Sequence, residues 1–344
     1  MRRPKQVSRT VRGTERAAKQ LAAELTVSAP PPSEGHTVTD ALDAWLETNA
    51  PTWAASAVRD PTSRASLVKA DKIARTVVDR LSVADVDRWH ARLRDRGVGE
   101  ASIRNQHLVL RAAMSLAARW GWVSTNVVAV ATLGRRKSVP RAAMSGEDVR
   151  KMIAAAAERD PAAGLALRLA AVTGARRAEL CALVWSDLDG DRLTIDSSIA
   201  IVRTGTTDDK RQPDLVDAAT KTANQRTVRL DEQTIAMIEA LRVEREQWGP
   251  WMLNPGERPL NPERLTNWSR LARRDAGVDD RWRLHDLRHW SATEAIGHGH
   301  DIRTVAGRLG HANPAMTLRT YAHAIDGADA GVADTLADAL EAGS

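Results

Sequence analysis

The sequence predicts a mainly α-helical protein with one small antiparallel β-sheet set into its second half. Three observations carry that reading. Apolar residues recur at helical spacing behind capping residues over most of the chain. Alternation of period two is confined to short stretches near 193–201 and 227–230. Breaks at 29–35 (Pro-rich) and 134–141 (basic) divide the chain into segments.

The 344 residues permit two or three domains, each with its own core. No apolar run approaches the roughly eighteen residues of a membrane span. The N-terminus is polar and basic without an apolar core segment, so no signal peptide is expected. A single cysteine, Cys181, excludes an internal disulfide framework and fits a reducing cytoplasm. Charge is unevenly spread. Of 50 basic and 44 acidic residues, seven basic and one acidic fall within 1–19, which leaves 43 of each in the remainder. A basic tail on a neutral body reads either as a nucleic-acid arm or as a solubilising terminus.

In chain order, 1–28 combine a short β-like segment at 6–11 with a helical stretch at 14–25, and Pro30-Pro31-Pro32 follow as a linker. Val38, Leu42, Trp45 and Leu46 form one apolar helical stripe. A second helix is expected over Ser63–Val78, and a third behind the capping pair Ser82 and Asp85. A fourth runs from Ala101 to Trp120, with Ile103, Leu108, Leu110, Met114 and Ala118 available for burial and Arg104, Arg111 and Arg119 opposite. Together they make a small α-bundle. After the basic linker, helices are expected at 149–159, from Pro161 to the Thr173-Gly174 break, and from Arg176 almost to Trp185. Thr204–Thr220 is polar and turn-rich between two strands, and the chain is helical beyond Asp231. The domain boundaries that follow are 1–34, 35–133, a linker at 134–143, and 144–344.

The chemistry concentrates at the end. A chain with no Phe and one Tyr does not use tyrosine for routine packing, yet Tyr321 closes the series LHDLRHW, GRLGH and LRTYAH. Cutting a phosphodiester without a metal needs a nucleophile, cations on the non-bridging oxygens, and an acid for the leaving alkoxide. A tyrosine hydroxyl can attack and form a covalent phosphotyrosine, provided positive charge lowers its pKa from about 10. Arginine suits the clamp through its planar bidentate fork, and Lys or His suits the acid. Arg176 opens a helix after a glycine turn, with Arg177 its neighbour. Lys221 lies before the second strand, with Lys210 a rival. His285 and Arg288 share a helical face, and His311 follows Gly310. A metal cluster of His285, Asp286, His289, His298 and His300 is the competing use of these histidines, although no ligand motif spaces them. Trp282, Trp290 and Cys181 read as core.

The succession TGARRAEL, TKT…RTVRL, LHDLRH, LGH and TYAH resembles the tyrosine recombinase family, phage integrases in particular, over about 144–323. The preceding helices resemble the family's core-binding, SAM-like domain. The resemblance implies an α+β tyrosine-recombinase catalytic domain with Arg176 and Arg288 as the phosphate clamp and Lys221 as acid for the 5′ oxygen. It also implies His285 and His311 as phosphate-binding, proton-handling groups, Tyr321 as nucleophile, and Glu179 as a structural support. Residues 1–34 are similar to the last strand and helix of the family's arm-binding domain. Further implications are double-stranded attachment-site DNA as partner and no cofactor or metal. A tetramer exchanging a C-terminal helix near 332–341, a directionality factor, and a cytoplasmic, nucleoid-associated role in moving a phage or mobile element complete the expectation.

Overall fold

Thr37 and Ser82 each close a capping box. Asp40 and Asp85 return a carboxylate to the cap backbone while each hydroxyl accepts from the N3 amide. These local signals start two of the helices in the computed structural model, which describes residues 35–53, 55–134, 143–202, 214–219, 225–311 and 313. The expected segment at 1–34, most of the 134–143 linker, Lys210, Lys221, Tyr321 and the tail helix at 332–341 lie outside those residues. The chain divides into two compact units, Met1–Ser138 and Val139–Ser344.

The first unit contains α1 (Val38–Asn49), α2 (Ala55–Lys69), α3 (Val83–Asp95), α4 (Glu100–Arg119) and α5 (Val127–Val130). Val38, Leu42, Trp89, Ile103, Leu110 and Met114 fill its core. The second helix lies earlier than its sequence pattern suggests. It stops at Lys69, and the Asp71 side chain caps a separate 3-10 turn over Lys72–Arg75. Buried Asp71 also binds Arg92 at 2.6 Å and Arg96 at 3.0 Å. On α4 the inward face runs through Ile103, His107, Leu110 and Met114, so Leu108 falls out of phase and is 49% exposed.

The second unit is built around α7 (Pro161–Thr173), which follows α6 (Gly146–Arg159). Asp160 caps α7 and Pro161 occupies its first turn, where the missing N–H costs nothing. Helix α7 buries Ala162, Leu165, Leu167, Leu169 and Ala170, and its one charged residue, Arg168, pairs with Asp231. Next come α8 (Arg177–Leu180) and strands β1 (Leu188–Asp189), β2 (Arg192–Ile195), β3 (Ser197–Val202), β4 (Asp214–Ala219) and β5 (Arg226–Arg229). The antiparallel order is β1-β2-β5, with Leu193 opposite Val228, and β3 pairs separately with β4. Helices α9 (Glu232–Arg245), α10 (Pro262–Asp275), α11 (Leu284–Gly297) and α12 (Ile302–Leu309) complete it.

Two expectations change here. The helix after Arg176 lasts only to Leu180, because Val184 leaves it to bridge to Trp251. The turn-rich stretch 204–220 contains a strand, β4, whose side-chain pattern is too polar to announce it. Trp282 and Cys181 are buried in the core, and burial pushes the Cys181 thiol up to about 12. Among the described residues no helix is long and apolar enough to cross a membrane.

Candidate active site

Two helices in the second unit stop on left-handed glycines, and those ends are tied together. Gly174 terminates α7 at φ 62° and Gly310 terminates α12 at φ 67°. A Cβ on Gly174 would collide with Leu309 Cδ2, and one on Gly310 would lie 2.7 Å from Arg226 Nη1. Glycine is required at both places by handedness and by space.

Arg176 is the N-cap of α8. Its amide donates to Glu179 Oε2 at 2.9 Å, its Nη1 to Oε1 at 2.6 Å, and its Nη2 to the Gly310 carbonyl at 3.0 Å. Glu179 is buried and shared, since Arg226 Nη2 donates to Oε2 at 2.6 Å. Burial alone would raise its carboxyl pKa. Hydrogen bonds and charge from Arg226 and Arg176 outweigh that and hold it below the usual range. From the same guanidinium Arg226 Nε donates to the Arg308 carbonyl at 2.8 Å. Arg308 in turn donates to the Val172 carbonyl at 3.1 and 2.8 Å and to Arg229 O at 3.0 Å, closing α7, α12 and β5 onto one another.

Helix α11 supplies the other groups. Arg288 is 4% exposed and its Nη1 donates to the Gly174 carbonyl. His285, one turn earlier, stacks edge-to-face on His289 with ring centroids 4.8 Å apart. Burial and the charges of Arg288, Arg176, Arg226 and His289 depress His311 to about 4. His285 is lowered by burial, then by His289 and Arg288, although its side chain still reaches solvent and water screens part of that effect. Both shifts favour the neutral imidazole, beside arginines that stay cationic. Such a cluster fits one bound phosphodiester anion.

Of the six residues the sequence marks, Arg176, His285, Arg288 and His311 converge on this network. Lys221 and Tyr321 lie outside the described residues. Of the two adjacent arginines, Arg176 faces the cluster, while Arg177 Nη1 donates to Thr266 Oγ1 at 3.0 Å on α10. No group of three or more His, Cys, Asp or Glu able to hold a metal occurs among the described residues. Sequence reasoning passed over Arg226 and Arg308. The RTVRL stretch was noticed, but partners 47 and 136 positions away leave no local mark.

The phage integrase family model matches residues 143–327. An integrase of Saccharopolyspora erythraea is 27% identical over an alignment of 308 residues that covers 73% of this chain and 69% of that protein. Among solved structures, the Tn1549 transposon integrase in complex with a circular intermediate DNA superposes with a TM-score of 0.68 at 16% identity, covering 83% of this chain and 95% of that one. A lambda integrase tetramer bound to a Holliday junction gives 0.65 at 18% identity, covering 88% and 85%. With the family matched across more than half of its length, the chain belongs to the phage integrases, tyrosine recombinases that cut and rejoin DNA at specific sites.

Proposed function

We propose that this recombinase integrates or excises a phage or another mobile element, with Tyr321 attacking the scissile phosphate of attachment-site DNA. The P–O5′ bond breaks, a 3′-phosphotyrosyl link forms, and Lys221 delivers the proton to the departing 5′ oxygen. Arg176 and Arg288 hold the non-bridging oxygens, while His285 and His311 hydrogen-bond the phosphate and move protons. The 5′-hydroxyl of a partner strand then attacks the link and frees the phenol. Bond energy stays in the phosphotyrosine throughout, so no nucleotide is consumed.

One observation carries this reading: two arginines and two histidines from three distant segments meet around tied helix ends, with Arg176 held by the buried carboxylate of Glu179. The helical first unit is the core-binding domain in this account, with 1–34 as a contact for separate arm sites. The active assembly is a tetramer that exchanges its C-terminal segment, a directionality factor biases the outcome, and the work is done in the cytoplasm at the nucleoid. For the tetramer alone, the lambda integrase tetramer bound to a Holliday junction gives support by likeness of fold.

The test is a nicked duplex of the protein's own attachment site, followed on a denaturing gel. A covalent protein–DNA band that disappears in Tyr321→Phe is the expected result. A band that persists in Tyr321→Phe, or none with any DNA, overturns the assignment.

A further inference from the structure

We infer that Arg226 is a positioning residue for strand cleavage: its guanidinium fixes Glu179 on one side and the Gly310 turn on the other, and so sets Arg176 and His311 relative to each other. The inference rests on the reading that Arg176 and His311 contact the scissile phosphate.

The Arg226 side chain is 7% exposed, too enclosed for a solvated surface cation. Its Nη2 donates to Glu179 Oε2, the oxygen that also receives the Arg176 amide, while Oε1 receives Arg176 Nη1. Rotating that carboxylate would therefore re-aim Arg176. In the opposite direction Nε donates to the Arg308 carbonyl, and Nη1 occupies the space that a Cβ on Gly310 would need. Gly310 O in turn receives Arg176 Nη2. Arg226, Glu179, Arg176 and the 308–310 turn thus form a closed ring of hydrogen bonds with His311 next along the chain. Only a rigid fork reaches both sides at once. A lysine keeps the charge but is a single point donor, so it can satisfy Glu179 or the turn and not both. Arg226 also stands five residues after Lys221 at the start of β5, where register with Ile195 holds its backbone. A charge that close also bears on His311, whose proton affinity Arg226 helps to depress.

The experiment uses the full chain with Arg226→Lys and Arg226→Gln, at DNA concentrations that saturate each variant. Single-turnover cleavage of the nicked duplex, DNA affinity and thermal unfolding are measured together. For Arg226→Lys the expected result is unfolding and affinity close to the parent with cleavage slowed about 100-fold, the scale of a small misplacement of reacting groups. For Arg226→Gln, loss of a cation beside His311 should also move the acidic limb of the pH–rate profile to higher pH. If Arg226→Gln unfolds because buried Glu179 loses one of its two arginine partners, the double variant Glu179→Gln with Arg226→Gln removes both charges. That double variant should fold and still cleave slowly. Parent-rate cleavage by Arg226→Lys or by the double variant overturns the inference, and so does a slowing matched by equal loss of folded protein or bound DNA. The covalent product of the parent protein tests the underlying reading separately, because only departures from it bear on Arg226.

Discussion

His311 shows at single-residue scale how the site is tuned. Its pKa is about 4 in the free protein because burial and then Arg288, Arg176 and Arg226 disfavour a further positive charge. A bound phosphodiester offsets part of that positive charge and favours the imidazolium. Titration of His311 followed by NMR should therefore give a midpoint near 4 without DNA and an upward shift with attachment-site duplex. A midpoint that DNA leaves unmoved would separate His311 from the phosphate. The same depression links to stability. Between the ordinary His value and about 4 the unfolded chain binds the extra proton, so His311 lowers stability progressively as pH falls through that window and has no such effect above it.

At the scale of elements, the end of α7 is a tightly constrained point of the catalytic unit. Gly174 combines φ 62° with a Cβ position already filled by Leu309, and its carbonyl receives Arg288. Gly174→Ala is expected to reduce unfolding free energy by about 2 kcal/mol, from backbone strain and displacement of α12. Denaturant unfolding measures this, and an unchanged midpoint would show that the turn relaxes freely. Much of this architecture was legible in the residues. Ser82 with Asp85, Ser145 with Asp148, Pro161 and the Thr173-Gly174 break all mark helix ends through chemistry local to a few positions. The TGARRAEL and LHDLRH stretches likewise placed Arg176, His285 and Arg288. What local pattern could not show was whatever depends on distant partners. Strand β4 is defined by pairing with β3, α8 is cut short by the Val184–Trp251 bridge, and the Arg226–Glu179–Arg308 ring spans segments far apart in sequence.

For the whole molecule, charge matters by placement rather than by sum. Outside residues 1–19 the chain carries equal numbers of acidic and basic residues, yet its catalytic unit gathers Arg176 and Arg226 on the Glu179 carboxylate and Arg288 on the Gly174 carbonyl. In the proposed mechanism Arg176 and Arg288 act on the negative charge of a single phosphate. Replacing one non-bridging oxygen of the scissile phosphate by a methyl group removes that charge and leaves the rest of the duplex intact. On ordinary DNA, Arg176→Ala should cleave about 100- to 1,000-fold more slowly than the parent. On the neutral substrate that deficit should largely vanish, because no anion remains for Arg176 to hold. An equal deficit on both substrates would contradict the claim.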